Sequence, residues 1–450
     1  MASIKSALII AFLISLLFPI QSQANDRDYL KTKESFELIG LDTLHRQGIT
    51  GKDQVIVFID DGVQKNHPII KDAMIDGFCS SNAVCGEFYL KSGIEAGEIR
   101  AGSTSSHGLM VAGTIAGRVI DGTLGGIAPE AKLISINNTD GNTPGLYAVF
   151  DWILEAKKKY NIVAVSGSFA APNVGSRDAF GACSSGGDTL LETKIRRIYD
   201  AGIVPIFATA NDGNVVRNSF PACLDFVFAV GATDSLGNLQ GYSNVGPNLT
   251  VLAPSDVKTA GINGTTFLGG GTSNATPVVA GAVALLKQAK PEATIEDLRK
   301  AIQSSTRFVD DILWKGLPIL DLPTALNAIK TGNYSISKIT QQRFDYAGDL
   351  DAANTARIKA EADAKLAKDA QAKAEADAKL AKDAQAKAEA DAKLAKEAQA
   401  KAEADAKLAK EAQAKAEADA KKITITCVKG KLIKKVTGVK PICPPGYKKK

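Results

Sequence analysis

Three short segments of the chain carry an aspartate, a histidine and a serine in settings that suit acyl-transfer chemistry. The apolar run VIVFIDDG reaches Asp60, the segment HGLMVAGTIAG opens with His107, and GTSNATPVVAG places Ser273 directly after a glycine run. A serine hydroxyl is a poor nucleophile until a base takes its proton, and histidine suits that task because its pKa lies near neutrality. A buried carboxylate can fix the imidazole tautomer and stabilise the imidazolium. The three segments together predict nucleophilic catalysis by Ser273.

Such a reaction also needs fixed donors for the oxyanion that develops on the substrate. Ser273 opens a predicted helix, so its own backbone N–H has no partner within the helix and can serve as one donor. Asn211, in the segment ATANDGN, follows the predicted strand 203–208. Its side-chain amide is the candidate for a second donor.

Each segment alone is a weak signal, because an aspartate at a strand end is more often a cap or a turn residue. The same holds for a histidine before glycine, which is more often the start of a helix. The chain has three histidines: His45 falls in a predicted surface helix, His67 precedes Pro68 in a predicted loop, and His107 begins a helix rich in small residues. The coincidence of three segments makes a chance match improbable.

The elements that must position these residues alternate between apolar β-rich runs and helical patterns over residues 25–335. This alternation predicts an α/β fold in which a parallel sheet carries helices on both faces. The predicted strands are 55–60, 133–137, 162–165, 203–208 and 226–230, and the predicted helices are 108–118, 144–160, 189–201, 273–290 and 295–304.

At these residues the chain resembles the subtilisin-like serine proteases, the subtilases, over about residues 36–330. The Asp, His and Ser boxes of that family match Asp60, His107 and Ser273 in the same chain order, and the family's oxyanion asparagine matches Asn211. The resemblance implies a subtilisin-like three-layer sandwich with a mostly parallel sheet. It also implies a serine endopeptidase that forms an acyl-enzyme intermediate on polypeptide substrates and requires no cofactor. Structural calcium stays open.

The resemblance extends to substrate contacts and to one disulfide. The segment SGSFA is similar to the family's edge strand that pairs with an extended peptide, so Ser168, Phe169 and Ala170 are candidate substrate-binding residues. An ordinary sheet edge is an equally good interpretation of any one of them. One branch of the family joins a cysteine to a second cysteine in a phrase like FPACL, which implies the pair Cys183–Cys223.

The chain also departs from the family pattern, although no departure removes a reacting group. Leu109 and Met110 replace the usual Thr and His after the histidine box, Asn274 and Val278 replace Met and His in the serine box, and Ala210 replaces the Gly before the oxyanion asparagine. These departures leave open a catalytically impaired, subtilase-like surface adhesin or structural protein. An esterase or lipase is disfavoured, because those enzymes usually show G-x-S-x-G with the serine ahead of the other two residues.

The N-terminus and the cysteines indicate export. Lys5, an apolar run over residues 7–20 and the small residues of Ser22-Gln23-Ala24 predict a signal peptide over residues 1–24 and a secreted or cell-surface protein. An uncleaved anchor is the alternative, but 14 apolar residues are short for a membrane span. An even number of cysteines in an exported chain favours disulfides, and their grouping suggests Cys79–Cys85 and Cys427–Cys443 as local pairs. Their spacing predicts no metal site.

A second kind of sequence follows a predicted linker at 336–358. The unit KAEADAKLAKDAQA recurs every 14 residues over 359–422, and its helix formers and i,i+4 charge pairs predict one long solvated helix. Its only large apolar residues are leucines, one per two heptads, which is thin for a coiled coil. A lone spacer helix is therefore favoured over a weak alanine-seamed oligomer.

The last 28 residues, 423–450, hold eight lysines and no acid, and Cys427 and Cys443 could staple them as a hairpin. The formal net charge of the whole chain is +5, so the rest of the chain is net negative, which argues against a nucleic-acid-binding body. Such a module can attract anionic cell-wall polymer or lipid headgroups. A solubilising tail without a target is an equally good interpretation.

Overall fold

The computed structural model describes residues 22–85, 90–120, 123–138, 143–170, 176–177, 183–184, 189–216, 218–341 and 396–450, the last range without 397, 398, 400 and 402. The chain divides after residue 345 into two compact units. The predicted signal peptide, apart from residues 22–24, and repeat residues 359–395 lie outside the described residues. Among those described, no helix is both long and apolar enough to cross a bilayer.

The first unit is built on an eight-stranded sheet with helices on both faces. Its α-helices are α1 (Ser22–Leu38), α2 (Leu41–His45), α3 (Asn82–Cys85), α4 (His107–Ala116), α5 (Thr143–Ala156), α6 (Thr189–Asp200), α7 (Thr272–Ala289), α8 (Ile295–Gln303) and α9 (Leu322–Thr331), with short 3₁₀ turns at Ile94–Gly97 and Ile262–Gly264. Its strands are β1 (Val55–Asp60), β2 (Met74–Cys79), β3 (Lys91–Ser92), β4 (Lys132–Asn137), β5 (Ile162–Gly167), β6 (Ser176–Arg177), β7 (Cys183–Ser184), β8 (Val204–Ala208), β9 (Phe228–Thr233), β10 (Leu249–Pro254), β11 (Lys258–Ala260), β12 (Thr266–Leu268), β13 (Phe308–Val309), β14 (Trp314–Lys315), β15 (Leu317–Pro318) and β16 (Thr340–Gln341).

The large sheet has the order β10-β9-β8-β5-β1-β4-β2-β3. All neighbours are parallel except β2 and β3. Strand β1 shows the three layers, because successive side chains of a strand point to opposite faces. Ile56 and Phe58 join the core formed with α4 and α7, whereas Val57 and Ile59 join the core formed with α5 and α6. The predicted α/β fold with a mostly parallel sheet is confirmed.

Most predicted elements are present with small shifts at their ends. Helix α7 begins one residue earlier than predicted, so Ser273 lies inside its first turn. Helix α5 ends at Ala156, four residues before the predicted end. The paired strands β14 and β16 bring Thr340–Gln341, inside the predicted linker, into the first unit.

The N-terminal helix α1 crosses the predicted cleavage site after residue 24, and its C-terminal half packs on the first unit. The buried Thr32 hydroxyl accepts the N–H of Lys258 at 2.7 Å, and the buried Ser35 hydroxyl donates to the carbonyl of Asp256 at 2.8 Å. Lys31 adds an ion pair of 2.9 Å with the Asp256 carboxylate.

The second unit contains helical residues 403–420, α10, and a three-stranded antiparallel sheet. Strands β17 (Ile423–Lys429) and β18 (Leu432–Gly438) form a hairpin through the turn Gly430-Lys431, and β19 (Lys448–Lys449) pairs with β17. Gly430 has φ 61°, the positive value that a two-residue hairpin turn requires at its first central position.

Three disulfides link the six cysteines. They are Cys79–Cys85, Cys183–Cys223 and Cys427–Cys443.

Candidate active site

Three adjacent parallel strands, β1, β5 and β8, deliver the candidate residues to one edge of the sheet. Ile59 is in register with Gly167, and Gly167 with Phe207. Asp60, Ser168 and the segment leading to Asn211 therefore leave neighbouring strand ends, about 4.8 Å apart per strand. Carboxyl ends of parallel strands are where open α/β sheets place their ligand sites.

Asp60 and His107 form a direct hydrogen bond. His107 Nδ1 lies 2.7 Å from Asp60 Oδ1, although the two residues stand 47 positions apart in the chain. The Asp60 side chain is 4% exposed and the His107 side chain 40% exposed. The carboxylate is thus held inside, while one side of the imidazole faces the open site. Burial alone would lower the pKa of His107, but the charge and hydrogen bond of Asp60, together with the charge of Asp61, raise it to about 9.

A second carboxylate, Asp61, fixes the start of the histidine helix. Its Oδ1 accepts the backbone N–H of Gly108 at 2.8 Å, and its Oδ2 accepts the hydroxyl of Ser105. A carboxylate at a helix N-terminus satisfies a free N–H and is favoured by the helix dipole. Burial, followed by the neighbouring charge of Asp60, raises the pKa of Asp61 above its ordinary value.

Ser273 lies in the first turn of α7 and contacts the end of β5. Its hydroxyl donates to the carbonyl of Ser168 at 3.2 Å, and the Ser168 hydroxyl donates to the carbonyl of Ser273 at 2.8 Å. Gly271, with φ 76°, turns the chain into the helix, and its N–H donates to the Tyr242 hydroxyl at 3.0 Å. This reciprocal contact fixes the serine beside the strand that neighbours Asp60.

The amide of Asn211 is oriented by the residue before the serine. Asn211 Oδ1 accepts both the backbone N–H of Thr272, at 2.8 Å, and the Thr272 hydroxyl, at 3.0 Å. A backbone N–H can donate only to the oxygen of an amide, so the Asn211 NH₂ group is left available to another acceptor. Ala210 precedes it with φ 86°, a left-handed conformation that is costly for a residue with a Cβ.

Asn274 has a structural role that was not predicted from the sequence. It is fully buried; its Oδ1 accepts the Thr114 hydroxyl of α4 at 2.7 Å, and its Nδ2 donates to the carbonyl of Ser255 at 2.6 Å. The absence of a side chain at Gly269 leaves the space that this amide fills, since a Cβ there would lie 2.2 Å from Nδ2. Asn274 therefore ties the serine helix to the histidine helix. The signal was a polar residue in an apolar helix pattern.

The structure differs from the predicted sheet edge at SGSFA, while substrate binding by Ser168, Phe169 and Ala170 stays a prediction. Ser166 and Gly167 lie in β5, which is a central strand between β1 and β8. Ser168, Phe169 and Ala170 lie beyond its end, and Phe169 packs edge-on against Phe207 with ring centres 5.6 Å apart. The residues of a strand do not tell which strands flank it, so the sequence could not distinguish an edge strand from a central one.

The other two histidines have structural contacts. His45 Nε2 lies 2.9 Å from the carbonyl of Ile127, and His67 Nδ1 accepts the N–H of Ile69 at 3.2 Å. Burial lowers the pKa of His67.

A cleft of about 430 Å³ lined by Asp61 and residues 99–105 adjoins the candidate site. Within the described part of the chain, no group of three His, Cys, Asp or Glu side chains could hold a metal ion.

Comparison with known proteins gives one family model and several relatives, all of them subtilases or proteases. The Peptidase_S8 family model, described as the subtilase family, matches residues 51–344. Subtilisin NAT of Bacillus subtilis subsp. natto is 30% identical over 63% of this chain and 68% of its own length. Subtilisin DY of Bacillus licheniformis is 30% identical over 64% of this chain and 96% of its own. The minor extracellular protease Epr of Bacillus subtilis is 28% identical over 74% of this chain and 46% of its own.

Proposed function

Because the chain belongs to the subtilase family and is a serine endopeptidase, we propose that Asp60, His107 and Ser273 are its catalytic triad. The observation that carries this assignment is the 2.7 Å hydrogen bond between His107 Nδ1 and Asp60. Asp60 ends β1, and Ser273 contacts the end of the neighbouring strand β5. Because the Asp60 carboxylate binds Nδ1, Nε2 is the nitrogen that can exchange a proton with Ser273 and the substrate.

The proposed reaction has two halves. Neutral His107 accepts the proton of Ser273 Oγ through Nε2 as that oxygen attacks the peptide carbonyl, and then gives the proton to the leaving amine. Water, activated by the same nitrogen, hydrolyses the acyl ester and restores the serine hydroxyl. Asp60 stays ionised and stabilises the imidazolium in both halves.

The proposed oxyanion hole consists of the backbone N–H of Ser273 and the side-chain NH₂ of Asn211. Support comes from the position of Ser273 in the first turn of α7, where helical N–H groups have no partner. The two bonds from Thr272 to Asn211 Oδ1 hold the amide in the orientation that leaves its NH₂ free to donate. Donors fixed before the reaction need no reorganisation as charge develops.

Substrate is proposed to lie along Ser168–Ala170, whose backbone extends past the end of β5. An extended peptide can pair with such a segment by main-chain hydrogen bonds. The cleft of about 430 Å³ beside Asp61 is proposed to hold a further part of the same peptide.

The enzyme is proposed to act outside the cell. Support comes from the predicted signal peptide, from the similarity to the minor extracellular protease Epr, and from three disulfides, which persist in oxidising compartments. The repeat helix is proposed to be a spacer, and residues 423–450 a cationic module that binds an anionic cell envelope. A catalytically impaired adhesin is not favoured, because the matched relatives are proteases.

The decisive experiment replaces the nucleophile in the full-length protein. Ser273→Ala should abolish peptide hydrolysis and labelling by a fluorophosphonate, while the thermal unfolding midpoint stays unchanged. Ser335→Ala, at an exposed serine far along the chain, is the matched control and should label fully. Folded wild-type protein that hydrolyses no peptide, or whose label maps to another serine, would overturn the assignment.

A further inference from the structure

The tip of the β17–β18 hairpin exposes apolar side chains on both of its faces. Leu432 and Ile433 directly follow the turn and are 62% and 67% exposed. Leu432 is opposite Lys429, and Ile433 is opposite Val428. Since successive residues of a strand point to opposite faces, one large apolar side chain projects from each face at the end of the hairpin.

Lysines surround these two side chains. Lys429 and Lys431 flank the turn, and Lys434 and Lys435 follow on β18. Residues 423–450 contain no acidic residue, so no carboxylate of this segment competes for these ammonium groups. The tip, residues 429–435, thus combines two exposed apolar side chains with four positive charges.

The shape of the tip is fixed in advance. The Cys427–Cys443 disulfide ties β17 to the C-terminal segment two residues before Lys429, and β19 pairs with β17 at Cys427 and Val428. A preformed binding surface loses less conformational entropy on binding than a flexible one.

These features distinguish between the two anionic partners that the lysines alone would allow. A polyanion in water, such as a wall polymer, attracts the lysines but offers no apolar phase for Leu432 and Ile433. A bilayer with anionic lipids offers both, because interfacial binding adds buried apolar area to electrostatic attraction. Of the two partners, only the bilayer takes up the two large apolar side chains at the end of the stapled hairpin.

We propose that residues 429–435 insert into the interfacial region of a membrane that contains anionic lipids, with Leu432 and Ile433 among the acyl chains and the lysines at the headgroups. This proposal rests on the proposed function outside the cell, and it names the partner of the cationic module, residues 423–450.

The test measures cosedimentation of the full-length protein with vesicles of phosphatidylcholine and phosphatidylglycerol at 3:1, with pure phosphatidylcholine vesicles and with soluble polyphosphate. Wild type should bind the mixed vesicles and not the neutral ones. Replacing both tip residues by threonine, Leu432→Thr with Ile433→Thr, keeps strand-forming residues and should weaken vesicle binding at least about tenfold, since each side chain loses most of its apolar burial. Binding to polyphosphate should not change.

Ile442→Thr is the matched control, because Ile442 is 83% exposed but lies outside the β17–β18 hairpin, and it should bind like wild type. The double variant Lys431→Gln, Lys434→Gln should bind both vesicles and polyphosphate more weakly than wild type, and its binding should depend less on salt. In Ile433→Trp, tryptophan emission should shift to shorter wavelength with mixed vesicles.

Equal binding of the threonine variant and wild type to mixed vesicles, or no emission shift in Ile433→Trp, would overturn the proposal in favour of electrostatics alone. No binding by wild type would overturn it as well. Peptide mapping of Cys427–Cys443 checks that each variant keeps its staple. Fluorophosphonate labelling of Ser273 in the same samples reports on the peptidase separately, so failure of the membrane proposal cannot be confused with failure of the catalytic assignment.

Discussion

The two halves of the candidate site, the Asp60–His107 pair and the segment that holds Ser273, are kept in place in different ways. Asp60 and His107 are joined by a side-chain bond between a strand end and a helix start. Ser273 is instead placed by backbone: it sits in a helix turn, and its hydroxyl donates to the Ser168 carbonyl rather than to the imidazole.

The raised pKa of His107 bears on when the imidazole can act as a base. With a pKa of about 9, the imidazole is protonated at neutral pH, and an imidazolium donates from both nitrogens and accepts from none. In the proposed reaction His107 must therefore lose a proton before it can accept one from Ser273, whereas its hydrogen bond to Asp60 is already formed.

Loss of the Asp60 carboxylate is expected to have the largest effect on catalysis. Asp60→Asn keeps the size of the side chain but removes the charge that fixes and stabilises the imidazolium, so kcat should fall about 10⁴-fold, the magnitude known for this change in a serine protease triad. Peptide hydrolysis by purified protein measures it. Asp72→Asn, at an exposed aspartate, is the control and should retain wild-type activity. Activity of Asp60→Asn within tenfold of wild type would contradict the role of the pair.

Removing the side-chain amide of Asn211 should impair the half of the site that contains Ser273. Asn211→Ala should lower kcat about 10²–10³-fold with a smaller effect on KM, the range known for the corresponding donor in subtilisin. Asn211→Asp keeps the acceptor for Thr272 but cannot donate when ionised, so it should lose at least as much. Full activity in the Asp variant would show that Asn211 acts through Thr272 alone.

The pH profile tests the role of His107 without a mutation. Because the proposed general base is neutral His107, kcat/KM should rise with pH, with its midpoint near 9, and be about 50-fold lower at pH 7 than at pH 9. The same raised pKa means that the pair stabilises the folded state most below about pH 6.5, and this contribution is lost as pH rises through about 9. A profile that is flat from pH 7 to pH 9 would contradict both statements.

The link between the halves can be measured at Asn274. Asn274→Leu is close in size but leaves the Thr114 hydroxyl and the Ser255 carbonyl without this partner, so it should destabilise the protein by about 1–3 kcal/mol. Thermal or denaturant unfolding of Asn274→Leu, Thr114→Val and the double variant gives the coupling between the two residues. Strictly additive effects would mean that the bond between the helices contributes nothing of its own.

The smallest expected effect concerns the backbone before Asn211. Ala210→Gly should stabilise the protein by about 1 kcal/mol, because glycine adopts a φ of 86° without the cost that a Cβ brings. Ala201, which does not have a positive φ, is the control, and Ala201→Gly should destabilise slightly. An unfolding midpoint that drops in Ala210→Gly would contradict the strain.

The sequence predicts best those strands and helices that depend on a pattern of consecutive residues. Strand β1 with Asp60 at its end and the helix opened by His107 could be placed from local patterns alone, and the structure has both. Contacts between elements distant in the chain could not be placed. The Asn274–Thr114 bond spans 160 positions and the Ser273–Ser168 contact 105, and nothing in either local pattern indicates the other partner. The strand order that makes β5 central is missing from the sequence for the same reason.

The anchoring of helix α1 bears on self-digestion. An endopeptidase meets its own chain as a possible substrate, and N-terminal residues are an accessible place to cut. Trimming that stops before Lys31 leaves every bond from Lys31, Thr32 and Ser35 to the segment around Asp256 in place. Loss of the chain through Ser35 would remove the hydrogen bonds that Thr32 and Ser35 make to Lys258 and Asp256, close to the segment that Asn274 binds. Helix α1 thereby divides the N-terminal residues into those whose loss leaves these bonds intact and those whose loss breaks them.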